Sequence, residues 1–327
     1  MNNEFILQFH ISDQCNLRCK HCYQENYNSK QLKYEEIIKI LDQYKEFLIE
    51  KNIKGHINLT GGEPLSNPNF FEILNYIDNN KEYYSFAILT NGTLITDKIA
   101  EKISKYKPQY VQISIDGDKK THEKIRGKGT LEKAIQGVQN LNKYGVYTSI
   151  SFTAHKKNYK TFKKVVSIAK KAKANKVWTD RLIPIGGAKE LVKISLNQKE
   201  NKKFFKTVYK LMIKTKETQV TMSRALQFLQ TGEIPYKCTA GTKLLTVMEN
   251  GDLVPCRRMP IVLGNVLKEN LLEIYKKSNV IKQLEREEIP KECIKCEHSE
   301  KCRGGLKCLT YAMTEKIIGK DPGCYYL

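Results

Sequence analysis

The chain has no apolar run approaching the eighteen or so residues that a membrane-spanning helix needs, and no apolar stretch behind a basic start of the kind that opens a secretory signal. Both absences point to a cytoplasmic protein with no membrane partner. There is no low-complexity tract, and no repeat beyond an alternation of short apolar and amphipathic segments. Acid is in short supply: 35 Asp+Glu face 56 Lys+Arg, a formal charge of +21. Such an excess can mark a nucleic-acid binder. Here the lysines are spread along helical solvent positions, as in KKAKANK (170–176) and NQKENKKFFK (197–206). No basic cluster interleaved with aromatics marks a nucleic-acid module, so no nucleic-acid partner is expected.

Also missing is a fourth cysteine near the first three. Residues 12–24, SDQCNLRCKHCYQ, carry Cys15, Cys19 and Cys22, and the next cysteine is Cys238. A tetrahedral zinc site or a simple iron–sulfur cluster takes four protein ligands. Three thiolates on one loop can hold three irons of a [4Fe–4S] cube and leave the fourth free for a small chelating ligand. A zinc knuckle is the other reading of the spacing. Ten cysteines in a cytoplasmic chain of 327 residues argue for metal ligation over disulfides.

FILQFHIS (5–12), INLTGG (57–62), SFAILTNG (85–92), YVQISIDG (110–117), VYTSISFTA (146–154) and VWTDRLIP (177–184) read as buried parallel strands. Between them, residues 34–51, 69–80, 97–106, 131–145 and 159–175 repeat apolar side chains at three and four, the helical period. Right-handed crossovers then give a doubly wound sheet or an open barrel, and in both the chemistry sits at the C-terminal strand ends. The unusual residues collect there: the cysteine loop, GGEP, NGT and DG. Three regions are expected: an α/β region at 1–190, a helical connector at 191–233, and a small domain at 234–327. The last holds seven of the ten cysteines and reads as organised around metal rather than an apolar core.

Thr60-Gly61-Gly62-Glu63-Pro64 ends the second strand. Paired glycines let a ligand approach the backbone, and a strand edge offers C=O and N–H groups to an ammonium or carboxylate. Together CNLRCKHCYQ, LTGGEPL, LTNGTLI and ISIDG followed by IRGKG resemble the radical S-adenosylmethionine superfamily over roughly residues 5–190. The resemblance implies an α/β fold, a partial (β/α)6 TIM-like barrel, with the open iron kept for the amino and carboxylate groups of S-adenosylmethionine. It implies that Cys15, Cys19 and Cys22 ligate the cluster and that Tyr23 lies near the adenine. Gly61, Gly62 and Glu63 would meet the methionine amino group. Asn91 and Ser114 would lie near the ribose or carboxylate, and Arg126 would pair with that carboxylate through its guanidinium fork. The chemistry implied is reductive cleavage of the sulfonium to a 5′-deoxyadenosyl radical that takes hydrogen from a substrate.

Cys238, Gly251, Cys256, the run Cys293-x2-Cys296-x5-Cys302, Cys308 and Cys324 resemble the SPASM domain, which holds auxiliary [4Fe–4S] clusters. One position departs: four residues after Cys302, where that domain usually has cysteine, stands Leu306, and Cys308 follows. By resemblance, Cys293, Cys296, Cys302 and Cys324 would ligate the outer cluster in full. Cys238, Cys256 and Cys308 would hold the inner one, leaving an open iron for a substrate group such as a peptide thiolate. The rival is that Cys308 points away and the inner cluster is absent or smaller.

The resemblance implies an anaerobic oxidoreductase that matures ribosomally made peptides by thioether or carbon–carbon crosslinks or by epimerisation. The alternative is decarboxylation of a haem precursor or another cofactor maturation, with Arg181, Arg257 and Arg258 on propionates. Sulfatase maturation is disfavoured, because the acid that branch carries after its inner-cluster cysteine is here Arg257, within VPCRRMP. The expected partners are a peptide or protein substrate and an electron donor such as flavodoxin or ferredoxin. With the first strand starting near Phe5, a leader peptide would be met by a separate protein or by the barrel rim. His10, His155, Asp180 and Glu249 are candidate general bases by position, each read as structural, so no catalytic base is assigned.

Overall fold

In the computed structural model, which describes residues 4–27, 31–222, 225–286 and 288–326, the alternating pattern becomes a curved parallel sheet with helices on its outside. The first six strands are β1 (Glu4–His10), β2 (Lys54–Thr60), β3 (Tyr84–Thr90), β4 (Tyr110–Ser114), β5 (Thr148–Ala154) and β6 (Lys176–Arg181), paired in sequence order. The helices are α1 (Tyr34–Lys51), α2 (Phe70–Asn79), α3 (Asp97–Ser104), α4 (Lys119–Arg126), α5 (Thr130–Lys143), α6 (Phe162–Lys171) and α7 (Gln198–Lys214). The partial barrel is filled by the apolar strand residues, among them Leu7, Phe9, Ile57, Leu59, Ile88, Val111, Ile113, Ile150, Phe152 and Val177. No helix among the described residues is long and apolar enough to cross a membrane.

Local signals explain the boundaries. Glu36 accepts the Lys33 N–H at 2.8 Å at the start of α1, and Asn52 closes that helix in the left-handed conformation. Asn197 and Glu200 cap the start of α7 reciprocally. Helix α4 has no apolar stripe to announce it: KKTHEKIR buries only His122 and Ile125, and Asp118 starts it by accepting the Thr121 N–H at 3.1 Å.

Two expectations are corrected. The connector at 191–233 is not purely helical. Its residues Gln219–Thr221 form β7, which pairs with β6 and adds a seventh parallel strand. Three residues are too few to show a period. The C-terminal region is not organised around cysteines alone. Its strand β8 (Leu244–Val247) pairs in parallel with β1, and β9 (Asp252–Val254) and β10 (Gly264–Asn265) continue the sheet. Leu245, Val247, Leu253 and Ile274 belong to the barrel core. The composition shift near residue 234 is thus a change in chemistry and not a break in the sheet. From about residue 290 onward the described residues add short helices at Lys291–Cys293, Ser299–Cys302 and Lys307–Thr314 and no further strand.

Candidate active site

The cysteine loop leaves β1 and lies across the C-terminal end of β2. Gly62 donates to the Ser12 carbonyl at 2.7 Å and Glu63 to the Gln14 carbonyl at 2.7 Å. A Cβ on Gly61 would collide with the Ser12 carbonyl oxygen, and one on Gly62 with those of Asp13 and Gln14. Gly61 also sits at φ +144°, in the region that favours glycine. The close approach that these glycines serve is first of all to the chain's own cysteine loop, and only then to any ligand. Gly62→Ala is expected to push that loop away and to lower the iron retained on anaerobic reconstitution by up to about four per chain, one cube's worth. Unchanged iron with unchanged S-adenosylmethionine affinity would refute this account of the motif.

Glu63 is fully buried under the loop. Its carboxylate accepts hydrogen bonds from Thr90 Oγ1 at 2.7 Å, the Asn91 N–H at 2.8 Å and the Leu65 N–H at 3.3 Å. Burial pushes its pKa up to about 7 against those three bonds. The side chain therefore ties β2 to the end of β3, which leaves the backbone of the motif as the part able to meet an ammonium group. Asn91 is similarly committed. It donates to Asn16 Oδ1 at 2.9 Å and accepts from the Thr93 N–H and hydroxyl, holding the loop beside Cys15. Ser114 is half-buried at the end of β4, in register with Ser151.

Arg126 does not present a free fork. Its Nε donates to Asp116 Oδ2 at 2.6 Å, and Nη1 lies 3.7 Å from Cys19 Sγ. The same carboxylate takes His21 Nε2 at 3.1 Å and the Thr153 N–H at 2.9 Å. Asp116 is fully buried, and Arg126 and His21 hold it well below the usual carboxylate range although burial alone would raise it. Sequence reasoning missed Asp116 and His21 as members of the site. Both lie in motifs that were in view, ISIDG and CKHC, but nothing local says that one carboxylate would gather them.

Tyr23 faces the C-terminal region. The Arg257 guanidinium stacks 4.2 Å from its ring centroid and donates from Nη2 to the Tyr23 carbonyl at 3.1 Å, while the His10 ring lies 6.3 Å away on the barrel side. The loop after β6 closes on the same segment: a Cβ on Gly186 would strike the Tyr23 carbonyl, and one on Gly187 the Gln24 carbonyl. This glycine pair, IPIGG, is a second signal that sequence reasoning left unused.

The thiols fall into three groups. Cys15, Cys19 and Cys22 share the loop, and burial pushes Cys15 up to about 11. Cys293, Cys296, Cys302 and Cys324 line one small cavity together, and burial pushes Cys302 up to about 12. Cys238, Cys256 and Cys308 pack in a second apolar cluster, with Cys308 fully buried beside the other two and its thiol raised well above the ordinary value by burial. Bound metal would supply the charge that keeps such buried thiols as thiolates. Among the described residues no three His, Cys, Asp or Glu side chains close on a single metal ion. A cube has a larger footprint than a zinc ion, so the thiol groups fit clusters better than the zinc reading.

Two ion pairs, one fully buried and one with a partly exposed arginine, lock these groups together. Arg181, at the end of β6, makes bidentate contacts of 2.8 and 2.6 Å to Asp321, which also accepts the Leu306 and Gly323 N–H groups. Arg258 pairs with Asp180, whose Oδ1 accepts the Arg181 N–H at 2.8 Å. The three arginines considered for propionates therefore all have partners inside the protein. Of the four candidate bases, Asp180 is held in this lock. His10 and His155 are buried, with burial pushing both below the ordinary imidazole range. Glu249 sits half-exposed in the turn between β8 and β9.

Comparison with known proteins agrees with this geometry. The sequence model of the Radical SAM superfamily matches residues 9–169, and that of SPASM, an iron-sulfur cluster-binding domain, matches residues 238–297. An AdoMet-dependent heme synthase of Methanosarcina barkeri is 27% identical, over 98% of this chain and 96% of its own length. The antilisterial bacteriocin subtilosin biosynthesis protein AlbA of Bacillus subtilis is 26% identical, over 93% of this chain and 68% of its own. Among solved structures, Streptococcus suis SuiB bound to its precursor peptide SuiA superimposes with a TM-score of 0.80, at 18% identity, over all of this chain and 77% of SuiB.

Proposed function

Since the chain belongs to the radical SAM superfamily, as a SPASM-domain enzyme, we propose that it modifies a ribosomally made peptide, using S-adenosylmethionine held at the Cys15–Cys19–Cys22 loop. Cys15, Cys19 and Cys22 would hold an iron–sulfur cluster there, which would supply the electron for reductive cleavage of the sulfonium. This chain's residues position the reaction. The GGEP backbone faces the amino group, Asn91 and Asp116 fasten the loop, and Arg126 offers its remaining donors to the carboxylate.

The observation that carries the peptide reading is the trio Cys238, Cys256 and Cys308. On this reading four thiols serve the outer group and three the loop, which accounts for all ten cysteines and leaves the inner trio one ligand short. A peptide cysteine thiolate is the complementary ligand. A second reading, decarboxylation of a propionate-bearing iron porphyrin, is favoured by the 27% identity to a heme synthase across nearly the whole of both chains. The ion pairs that hold Arg181 and Arg258 inside the protein weigh against it, although Arg257 meets only a backbone carbonyl and the Tyr23 ring.

The test is anaerobic reconstitution followed by dithionite and S-adenosylmethionine. We expect about twelve irons per chain and 5′-deoxyadenosine, with Cys308→Ala falling to about eight irons. A neighbouring-gene peptide that loses two hydrogens or gains an epimerised centre would establish the first reading. Carbon dioxide released from the porphyrin would establish the second. Wild-type iron in Cys308→Ala would sink the three-thiol site.

A further inference from the structure

Residues 156–216 hold eighteen lysines and one arginine against three acids. Helix α7 turns Asn201, Phe204, Phe205 and Val208 inward. On its opposite side Lys199, Lys202, Lys203, Lys206 and Lys210 form one exposed stripe, with no ion pair among the described residues. Helix α6 packs beside it, the Phe162 and Phe204 rings 5.6 Å apart. There Lys164 and Lys170 are neutralised by Asp118 and Glu217, which leaves Lys163 and Lys171 exposed on α6 against five such lysines on α7.

What lies beneath this stripe gives it meaning. Asn201 donates to the Gly323 carbonyl at 3.0 Å, and Phe205 packs 6.1 Å from the Tyr325 ring. The segment between them bears Cys324 of the outer cysteine quartet. Beside the stripe a cleft of about 600 Å³ runs between Lys202 and Lys301, with Ile234, 87% exposed, on its wall. His298 and Tyr326 line this cleft and also the quartet cavity, so a single layer of side chains separates the two. Glu233 also lines the cleft, so its rim is mixed, with Lys202 and Lys301 leaving a positive excess that suits a small, electrostatically steered interface.

We propose that the α7 stripe and this cleft dock an acidic, one-electron carrier protein of the flavodoxin type. The proposal rests on reading the quartet as an iron–sulfur site. A carrier gains from docking where one side-chain layer separates it from such a site, and an acidic surface is complementary to five unpaired lysines. The balance is one electron per S-adenosylmethionine cleaved: the carrier's flavin hydroquinone becomes the semiquinone, and the S–C5′ bond breaks to methionine and the 5′-deoxyadenosyl radical.

The test is the quadruple variant Lys199→Glu/Lys202→Glu/Lys206→Glu/Lys210→Glu. Reconstituted wild-type and variant enzymes are compared for binding of a purified bacterial flavodoxin and for 5′-deoxyadenosine formed with reduced flavodoxin or with dithionite. Wild-type affinity is expected to fall steeply with added salt, and the variant to bind at least about tenfold more weakly. Flavodoxin-driven turnover should fall in parallel, while dithionite-driven turnover stays at the wild-type level. Unchanged flavodoxin affinity overturns the proposal. So does unchanged flavodoxin affinity with lost binding of an acidic peptide or of single-stranded RNA, which would give the face to that partner instead. If the wild type fails to cleave S-adenosylmethionine with dithionite, the functional reading fails, while the binding comparison still decides the docking face. Should the charge reversals impair folding, glutamine at the same four positions carries the same comparison.

Discussion

Replacing Asp116 with asparagine is expected to cost roughly 3–5 kcal/mol of stability and to slow S-adenosylmethionine cleavage roughly 10–100-fold. The carboxylate is fully buried and compensates the Arg126 guanidinium at 2.6 Å. Asparagine keeps the shape and removes the charge, leaving a nearly buried arginine without its counter-ion. Arg126 then turns toward Cys19, and His21 and the Thr153 N–H lose their acceptor. The cysteine loop is held between these contacts, so both its position and the direction of the remaining Arg126 donors shift.

The pH profile separates this from a general loss of packing. A carboxylate whose folded pKa lies below its unfolded value contributes stability above about pH 4 and loses it as pH falls below that. The wild type should therefore show this acid-side loss and the Asp116→Asn variant should lack it. His122 and His155, both lowered to about 4 by burial, act in a different window. The unfolded chain takes up their protons first, so stability declines as pH falls from about 6.5 towards 4, and the variant, without the Asp116 charge that raises both imidazoles, should show this decline at least as strongly. Unfolding measured from pH 7 down to 3 reads both effects. A variant with the wild-type acid limb and full S-adenosylmethionine turnover would show that Asp116 does not organise the site.

Asp321→Asn is expected to cost a similar amount, roughly 3–5 kcal/mol, and to release iron from the outer quartet first. Asp321 receives both Arg181 nitrogens and the Leu306 and Gly323 N–H groups, and its own carbonyl accepts the Cys324 N–H at 2.9 Å. It thus fastens the last cysteine to the end of β6. Adding Arg181→Met to the Asp321→Asn variant removes the uncompensated charge and should recover much of the loss, which marks the pair as coupled. Two losses that simply add, with outer-cluster iron intact, would mean that the pair contributes packing and not a lock.

The barrel was legible because its signals are local. The α1 span 34–51 could be read from apolar residues at three and four, and the strands from β-rich runs ending in GG, NG and DG. Helix α4 and strand β7 were not legible: one has almost no apolar stripe, and the other is three residues long. The cysteine loop and the glycine motif could be located, yet the reason for the glycines was misplaced. Only the fold brings the Asp13 and Gln14 carbonyls against Gly62.

What the sequence determined by itself is the parallel βα alternation, the three-thiol loop at its C-terminal end and a thiol-rich tail, since period, strand composition and cysteine spacing are properties of neighbours in the chain. Which side chains remain available was decided by the tertiary structure alone. Arg181 and Asp321 are 140 residues apart, and Arg257 meets the Tyr23 carbonyl across 234. Cys308 joins Cys238 and Cys256 only when the tail folds back onto β8. A charged or thiol side chain leaving water takes whatever partner the packed chain brings within reach, because burial without one is costly. No periodicity in the sequence records that choice.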